Sequence, residues 1–199
     1  MKILTSPTSP FGRKVLIVAD EVGFGQRLEA VHVDLAAADN PVVGLNPLVK
    51  IPTLVLDDGT AMIDSRVIAE YVADCAGDET IFPGGAERWQ ALSTQALADG
   101  LTESVIATNH ENKRAAGSRS QDVIDKHKFK IKRCLRSLED SIEPWSIRFT
   151  IGQISAICAL GYLELRLGDG WRQEFSKLYD WWRAQHDRPS VSATAPPSP

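Results

Sequence analysis

The chain has 199 residues, of which 43% are hydrophobic and 24% are charged. This composition is typical of a globular protein and excludes a mainly disordered chain. The 22 Lys and Arg residues and the 26 Asp and Glu residues give a formal net charge of −4, which argues against a dedicated nucleic-acid-binding protein.

The first part of the chain alternates between strand and helix patterns. Lys2–Thr5 is a short apolar run that predicts a first strand. Ser9 and Pro10 then have the residue types preferred at the N-cap and at the first position of a helix. Apolar residues follow at helical spacing until Gly23, a typical helix end. The alternation over Leu28–Val33 predicts a second strand.

A hairpin and a second helix are predicted next. Thr53–Leu56 and Ala61–Ile63 have strand character, and they flank Asp57–Thr60, whose Asp-Gly pair is a strong hairpin signal. The dipeptide Asp64-Ser65 then begins a helix. This order of elements predicts a small α/β domain with a mixed sheet over residues 1–76.

The pattern changes after a predicted linker over residues 77–86. Helical periodicity replaces the alternation, so residues 87–199 are predicted to form an all-helical domain. Within it, Thr150 and Gln153 fit the capping box of an apolar helix. Ser190–Pro199 is a Ser/Ala/Pro tail in which we expect no core residues.

Several features point to a cytoplasmic location. No segment approaches the roughly 20 apolar residues of a membrane-spanning helix, so no membrane partner is expected. The first residues lack the apolar segment of a secretory signal peptide. The three cysteines, Cys75, Cys134 and Cys158, are widely spaced, and neither they nor the histidines have metal-ligand spacing. We therefore expect no disulfide framework and no metal.

The first candidate site is Thr8-Ser9-Pro10-Phe11, where the first strand passes into the first helix. Backbone N–H groups and the helix dipole favour an anion there, and the Ser9 hydroxyl can donate a hydrogen bond to it. One charge-assisted hydrogen bond contributes about 1.5–3 kcal/mol, which with the dipole lowers the pKa of a bound thiol from about 8.5 to about 6–7. The simpler interpretation, that Ser9 is only a helix cap, stays open.

Two further segments suit the backbone and head group of a peptide. If the bond between Ile51 and Pro52, just before a strand, is cis, it leaves the Ile51 N–H and C=O able to pair with an extended peptide. At the start of the second helix, the Ser65 hydroxyl suits a carboxylate and Asp64 suits an ammonium group. An ordinary turn proline and ordinary helix capping remain the alternatives for these two segments.

The order and spacing of the three segments resemble the glutathione S-transferase superfamily. Ser-Pro-Phe near residue 10, Asn-Pro-Leu-x-Lys-Ile-Pro near residue 50 and Asp-Ser thirteen residues after Ile51 are similar to bacterial and plant members that use serine. The resemblance covers nearly the whole chain. It implies a thioredoxin-like α/β N-terminal domain, a short linker and an all-α C-terminal domain.

The resemblance also implies roles for individual residues. Ser9 is expected to stabilise the glutathione thiolate, and Ile51 to pair with the cysteinyl backbone of glutathione. Asp64 and Ser65 are expected to hold its γ-glutamyl end. The full set of expected glutathione-binding residues is Thr8, Ser9, Phe11, Lys50, Ile51, Pro52, Asp64, Ser65 and Asp99.

The more distant parts of the expected site lie at the glycyl end of glutathione, in the second domain and in a partner subunit. Lys50 is expected near the glycyl carboxylate, and Asp99 is expected to be supplied by the other subunit of a homodimer. The electrophile is expected between the domains, against one face of the first long helix. That face is taken to be Leu101, Ser104, Val105 and Thr108.

The function that the resemblance implies is a detoxifying transferase that conjugates its co-substrate glutathione to a small electrophile. The first motif contains no cysteine, and because serine cannot form a mixed disulfide, a glutaredoxin-like mechanism is disfavoured. Two alternatives stay open. One is a glutathione-binding carrier or interaction module without transferase activity, and the other is a glutathione-dependent peroxidase or isomerase.

Overall fold

The structure, a computed structural model, describes residues 1–142 and 148–197. The chain divides into two compact units. The sheet unit comprises Met1–Gly84 together with Arg188–Pro197, and the helical unit comprises Gly85–Asp187. In the described part of the chain, no helix is both long enough and apolar enough to cross a membrane.

The sheet unit is built on four strands. They are β1 (Lys2–Thr5), β2 (Glu29–His32), β3 (Thr53–Val55) and β4 (Ala61–Ile63). Their spatial order is β2-β1-β3-β4. β1 runs parallel to β2 and antiparallel to β3, and β3 runs antiparallel to β4. The predicted mixed sheet is confirmed.

Helix α1 (Pro10–Glu21) follows β1 and begins directly after Ser9, the residue predicted to cap it. The Ser9 hydroxyl oxygen accepts a hydrogen bond from the Gly12 N–H at 3.1 Å, which satisfies one of the N–H groups that a helix start leaves unpaired. Val15 and Val18, three residues apart on its inner face, expose no surface. Burying each such side chain contributes about 1.5–3 kcal/mol. The packing of these side chains therefore places the helix on the sheet, and with it the cap.

Helix α2 (Ser65–Ala76) follows β4 and packs against α1. Asp64 caps it by accepting a hydrogen bond from the Arg66 N–H at 2.9 Å. The helix ends at Gly77, which has the left-handed conformation, φ 68°, that commonly ends helices. The start of α2, like that of α1, therefore lies directly beyond the end of a strand.

The helical unit contains helices and short connections throughout its described residues. Its helices are α3 (Gly85–Asn112), α4 (Gln121–Asp140), α5 (Ile151–Leu167), α6 (Trp171–Glu174) and α7 (Ser176–Ala184). α3 packs along both α4 and α5. All residues from Ile151 to Leu163 are buried, so α5 is the centre of this unit, as its apolar sequence predicts.

The start of α5 has the predicted capping box. The Thr150 N–H donates to Gln153 Oε1 at 2.9 Å, and Thr150 Oγ1 accepts from the Gly152 N–H at 3.3 Å. A Cβ at Gly152 would lie 3.0 Å from the Ala91 carbonyl oxygen and 2.9 Å from Thr94 Cβ. Glycine is therefore the residue that allows α5 to approach α3 so closely.

The last described segment, Arg188–Pro197, differs from the predicted tail without core residues. It contains helix α8 (Pro189–Ala193) and clusters with the sheet unit. Val191 exposes no surface, and its carbonyl accepts a hydrogen bond from buried Arg13 of α1 at 3.0 Å. Composition does not predict this packing, because one apolar side chain and a distant arginine hold the segment in place.

Candidate active site

The sheet register brings the three predicted ligand segments to one end of the sheet unit. Leu4 of β1 pairs with Thr53 of β3, which pairs in turn with Ile63 of β4. The residues that leave β1 and β4 therefore lie beside those that enter β3. These neighbouring segments are Thr8–Phe11, Lys50–Pro52 and Asp64–Ser65.

Ser9 uses only its oxygen when it caps α1. The oxygen accepts the Gly12 N–H, and this bond does not consume the hydroxyl proton. A hydroxyl in this position can donate its proton to an anion in front of the helix, where the dipole also favours negative charge. Helix capping and anion binding, the two interpretations of Ser9, are therefore compatible.

Gly12 lets the first turn of α1 lie directly on the end of β1. A Cβ at Gly12 would be 1.8 Å from Thr5 Oγ1 and 3.4 Å from Ser9 Oγ. Thr5 Oγ1 is buried and has no hydrogen-bond partner among the residues that the structure describes. The space beneath Ser9 is therefore filled by Thr5, and no side chain fits at Gly12.

The loop before β3 is held by Asn46, to which the sequence analysis assigned no role in the site. Asn46 Nδ2 donates to the Lys50 carbonyl at 2.9 Å and to Thr53 Oγ1 at 3.0 Å. Its Oδ1 accepts from the Leu48 N–H at 2.9 Å. Because Asn46 is 2% exposed, water cannot replace these bonds, and the side chain fixes the shape of the loop.

Ile51 is placed to pair with an extended peptide. The Ile51–Pro52 peptide bond is cis. Within the described ranges, no backbone hydrogen bond engages the N–H or C=O of Ile51. Nearby, Lys50 is exposed and Val49 has φ 48°, an unusual conformation for a β-branched residue. Such conformations concentrate at functional sites.

Replacing Asn46 by alanine is expected to lower the free energy of unfolding by about 2–3 kcal/mol, because the Leu48 N–H loses its acceptor and the Lys50 carbonyl and Thr53 Oγ1 each lose one of their hydrogen bonds. Glutathione affinity is expected to fall as well, since the loop beside Ile51 loses its support. Asn40→Ala is the matched control, because Asn40 is also buried and bonds Val42 N–H and the Leu35 carbonyl elsewhere in the unit. Denaturant unfolding and calorimetry measure both quantities. Equal losses of affinity in the two variants contradict a role for Asn46 at the site.

Asp64 has a strained backbone and a paired carboxylate. Its φ is 71°, and its carboxylate accepts hydrogen bonds from Arg66 Nη2 at 2.9 Å and Nε at 3.1 Å. The hydrogen bonds from the Arg66 side chain hold the pKa of the Asp64 carboxyl below its usual range, although partial burial opposes them. Asp64 therefore stays an anion that suits an ammonium group.

Ser65 lies behind Asp64 and next to a buried lysine that the sequence analysis missed. Ser65 is 5% exposed, and Lys14 Nζ lies 3.4 Å from its Oγ. The signal for Lys14 was present in the sequence. It is four residues after Pro10 and four before Val18, so it occupies the buried face of α1.

The predicted residues of the second domain lie in α3. Asp99 is 7% exposed, and its contribution from a partner subunit stays a prediction. Leu101, Val105 and Thr108 expose no surface, and the Ser104 hydroxyl donates to a carbonyl of its own helix. The expectation that the electrophile lies against this face is therefore wrong for those three residues, because helical spacing identified the face of α3 that packs in the core.

Comparison with known proteins identifies the family. Residues 8–75 match the family described as "Glutathione S-transferase, N-terminal domain". A protein of Escherichia coli (strain K12), named "Uncharacterized GST-like protein YibF", is 32% identical over 202 residues, which span 99% of each chain. The chain belongs to the glutathione S-transferase superfamily. The family predicted from three short motifs is thus confirmed.

Two crystal structures of related glutathione transferases extend the comparison. One, a glutathione S-transferase from Methylobacillus flagellatus KT with glutathione bound, has a TM-score of 0.92 and 37% identity, covering 98% of this chain and 99% of that one. The other, a family member from Pseudomonas fluorescens Pf-5 with bound S-(propanoic acid)-glutathione, has a TM-score of 0.89 and 37% identity, covering 99% and 100%. The predicted glutathione S-transferase fold is confirmed.

Among the described residues of this transferase-like protein, no group of three or more His, Cys, Asp or Glu side chains can hold a metal ion. Cys75, Cys134 and Cys158 form no disulfide among the residues that the structure describes, and none of them lies in the three segments of the candidate site. The polar groups of the site are therefore hydroxyls, backbone amides and the charged side chains around Asp64.

Proposed function

We propose that this protein is a cytoplasmic, homodimeric glutathione transferase that conjugates glutathione to a small electrophile. The observation that carries the proposal is the Ser9 hydroxyl, whose oxygen caps α1 while its proton stays available, at the same end of the sheet as Ile51 and Ser65. The glutathione and the S-substituted glutathione in the two related crystals support the same ligand here. Sedimentation equilibrium, in which we expect twice the mass of the chain, tests the homodimer.

Glutathione fits this end of the sheet in an extended conformation. The Asp64 carboxylate takes the α-ammonium of the γ-glutamyl group, and the Ser65 hydroxyl with the start of α2 takes its α-carboxylate. The cysteinyl backbone pairs with Ile51 in the manner of an added strand. The exposed Lys50 side chain is left for the glycyl carboxylate at the far end.

The thiol of glutathione then lies at the start of α1. Ser9 donates a hydrogen bond to the sulfur, and this bond and the helix dipole stabilise the thiolate after its proton passes to solvent. The sulfur attacks an electrophilic carbon and a C–S bond forms. With an aryl halide, the halide departs with its bonding electrons. With an enone, the electrons of the C=C bond move toward the carbonyl, and a proton from solvent completes the addition. No bond forms between glutathione and the enzyme, because serine cannot make a mixed disulfide.

Calorimetry and a panel of acceptors test the proposed function. We expect binding heat and a gain in melting temperature with glutathione, followed by turnover of an aryl halide or an enone. Binding without turnover overturns the transferase in favour of a carrier, and turnover of hydroperoxides alone overturns it in favour of a peroxidase. If millimolar glutathione gives no binding heat and no gain in melting temperature, glutathione binding itself is overturned.

Replacing Arg66 by alanine is expected to change the pKa of the Asp64 carboxyl group. Arg66→Ala removes the guanidinium hydrogen bonds but keeps the capping N–H at position 66, so the pKa of Asp64 rises toward its usual value of about 3.9. Because the folded-state pKa lies below the unfolded one, Asp64 stabilises the protein above about pH 4, and this stability is lost as the pH falls. In the variant the folded and unfolded pKa values lie closer together, so Asp64 contributes less stability above about pH 4 and less is lost as the pH falls.

Carbon NMR of the Asp64 carboxyl group measures this titration directly. Arg114→Ala is the control, because Arg114 pairs with Glu111 in the helical unit. An unchanged Asp64 titration in Arg66→Ala contradicts the assignment of the shift to Arg66.

A further inference from the structure

Lys14 is a buried cation between α1 and α2. Its side chain is 1% exposed, which makes it one of the largest fully buried side chains of the chain. Burying an ammonium group is unfavourable unless other groups compensate its charge, whereas methionine fills similar space without that penalty. A lysine here therefore points to a use for its charge.

The contacts of Lys14 connect the two ends of the candidate glutathione site. Its Nζ lies 5.5 Å from the centre of the Phe11 ring, within the range of a cation–π interaction, at the thiol end. The same Nζ lies 3.4 Å from Ser65 Oγ at the γ-glutamyl end. Its positive charge also contributes to the lowered pKa of Asp64, after the larger effect of Arg66.

The chemistry of the two groups determines how the Ser65 hydroxyl points. An ammonium group can only donate hydrogen bonds, so the Ser65 oxygen accepts and its own proton turns away from Lys14. The distance of 3.4 Å is long for a hydrogen bond, so the main effect of Lys14 is electrostatic orientation. A hydroxyl polarised in this way is also a stronger donor to a carboxylate.

We propose that Lys14 is a positioning residue that acts through Ser65 to hold the α-carboxylate of a γ-glutamyl ligand. This inference rests on the proposed binding of glutathione at Asp64 and Ser65. The site then matches a zwitterion. The Lys14 cation lies behind the α-carboxylate of the ligand, and the Asp64 anion lies beside the α-ammonium of the ligand. The ligand class is therefore a peptide that begins with an intact, unblocked α-amino acid head group.

A double-mutant cycle tests the proposal. Calorimetry gives the Kd of glutathione for wild type, Lys14→Met, Ser65→Ala and the double variant, and thiolate absorbance gives the pKa of the bound thiol. Lys14→Met is expected to weaken binding about tenfold, the lower end for a charge-assisted hydrogen bond. In the Ser65→Ala background, the same change is expected to weaken binding less than about twofold.

The pKa of the bound thiol separates positioning from a general structural role. Because the Lys14 ammonium lies within 3.4 Å of Ser65 Oγ but meets only the Phe11 ring at the thiol end, Lys14→Met is expected to leave that pKa and kcat unchanged while it raises KM. A merely structural lysine disturbs α1 as a whole, and with it Ser9. Lys14→Arg, which keeps the charge, is expected to restore most of the affinity, and Lys128→Met on the exposed face of α4 is the matched control.

Three results overturn the proposal: unchanged affinity in Lys14→Met, an equal loss with and without Ser65, or a shifted thiol pKa. Should Lys14→Met fail to fold, Lys14→Gln carries the same comparison with the charge removed and a donor kept. Failure of the wild-type protein to bind glutathione is a different result, because it overturns the proposed function on which this inference rests.

Discussion

Replacing Ser9 by alanine is expected to raise the pKa of the bound glutathione thiol by about one unit or more. The variant loses the Ser9 hydroxyl proton that is proposed to bond the sulfur, while the helix dipole of α1 stays. One unit of pKa lowers the thiolate fraction at neutral pH by up to about tenfold, and turnover is expected to fall with it. Thiolate absorbance of bound glutathione as a function of pH measures the shift.

A matched control distinguishes this role of Ser9 from the loss of a helix cap. Ser120 caps α4 through the same kind of bond, to the Val123 N–H, so Ser120→Ala removes a cap far along the chain. Both variants are expected to lose about 1 kcal/mol of unfolding free energy or somewhat more, but only Ser9→Ala is expected to shift the thiol pKa. If neither variant shifts it, Ser9 is a cap alone.

Features that depend on neighbouring residues were predictable from the sequence. The strand Lys2–Thr5 has the predicted bounds, and helices begin after the predicted caps Ser9, Asp64 and Thr150. In each of these helices, a short polar side chain satisfies an N–H group of the first turn, so the signal lies within a few residues. The same local signals make up the motifs from which the family was predicted.

Features that depend on distant residues were not predictable in the same way. Arg13 bonds a carbonyl 178 positions away, and Lys14 meets a hydroxyl 51 positions away. The spacing of apolar residues within one helix or strand does not indicate contacts with residues far along the chain. The spacing of α3 likewise identified a consistent face but not whether that face lies against the core, which is why Leu101 was expected to contact the electrophile although it is fully buried.

The other large effect is expected where the helix and the strand approach most closely. Gly12→Ala is expected to lower the free energy of unfolding by about 2–3 kcal/mol, because overpacking forces neighbouring groups to move. The new Cβ would lie 1.8 Å from Thr5 Oγ1 and 2.9 Å from Thr5 Cβ, so β1 and α1 must separate. Glutathione affinity is expected to fall too, since the movement displaces Ser9. Denaturant unfolding and calorimetry measure the two effects.

The collision with Thr5 can be separated from other consequences of the substitution. Gly44→Ala is the control in the same unit, because a Cβ there meets no atom within 4 Å. Thr5→Ala alone is expected to cost little hydrogen bonding, since its buried Oγ1 has no partner among the described residues. Combined with Gly12→Ala, it removes the shortest contact and is expected to restore part of the lost stability. Strictly additive losses in the double variant contradict the collision, because only groups in direct contact show such coupling.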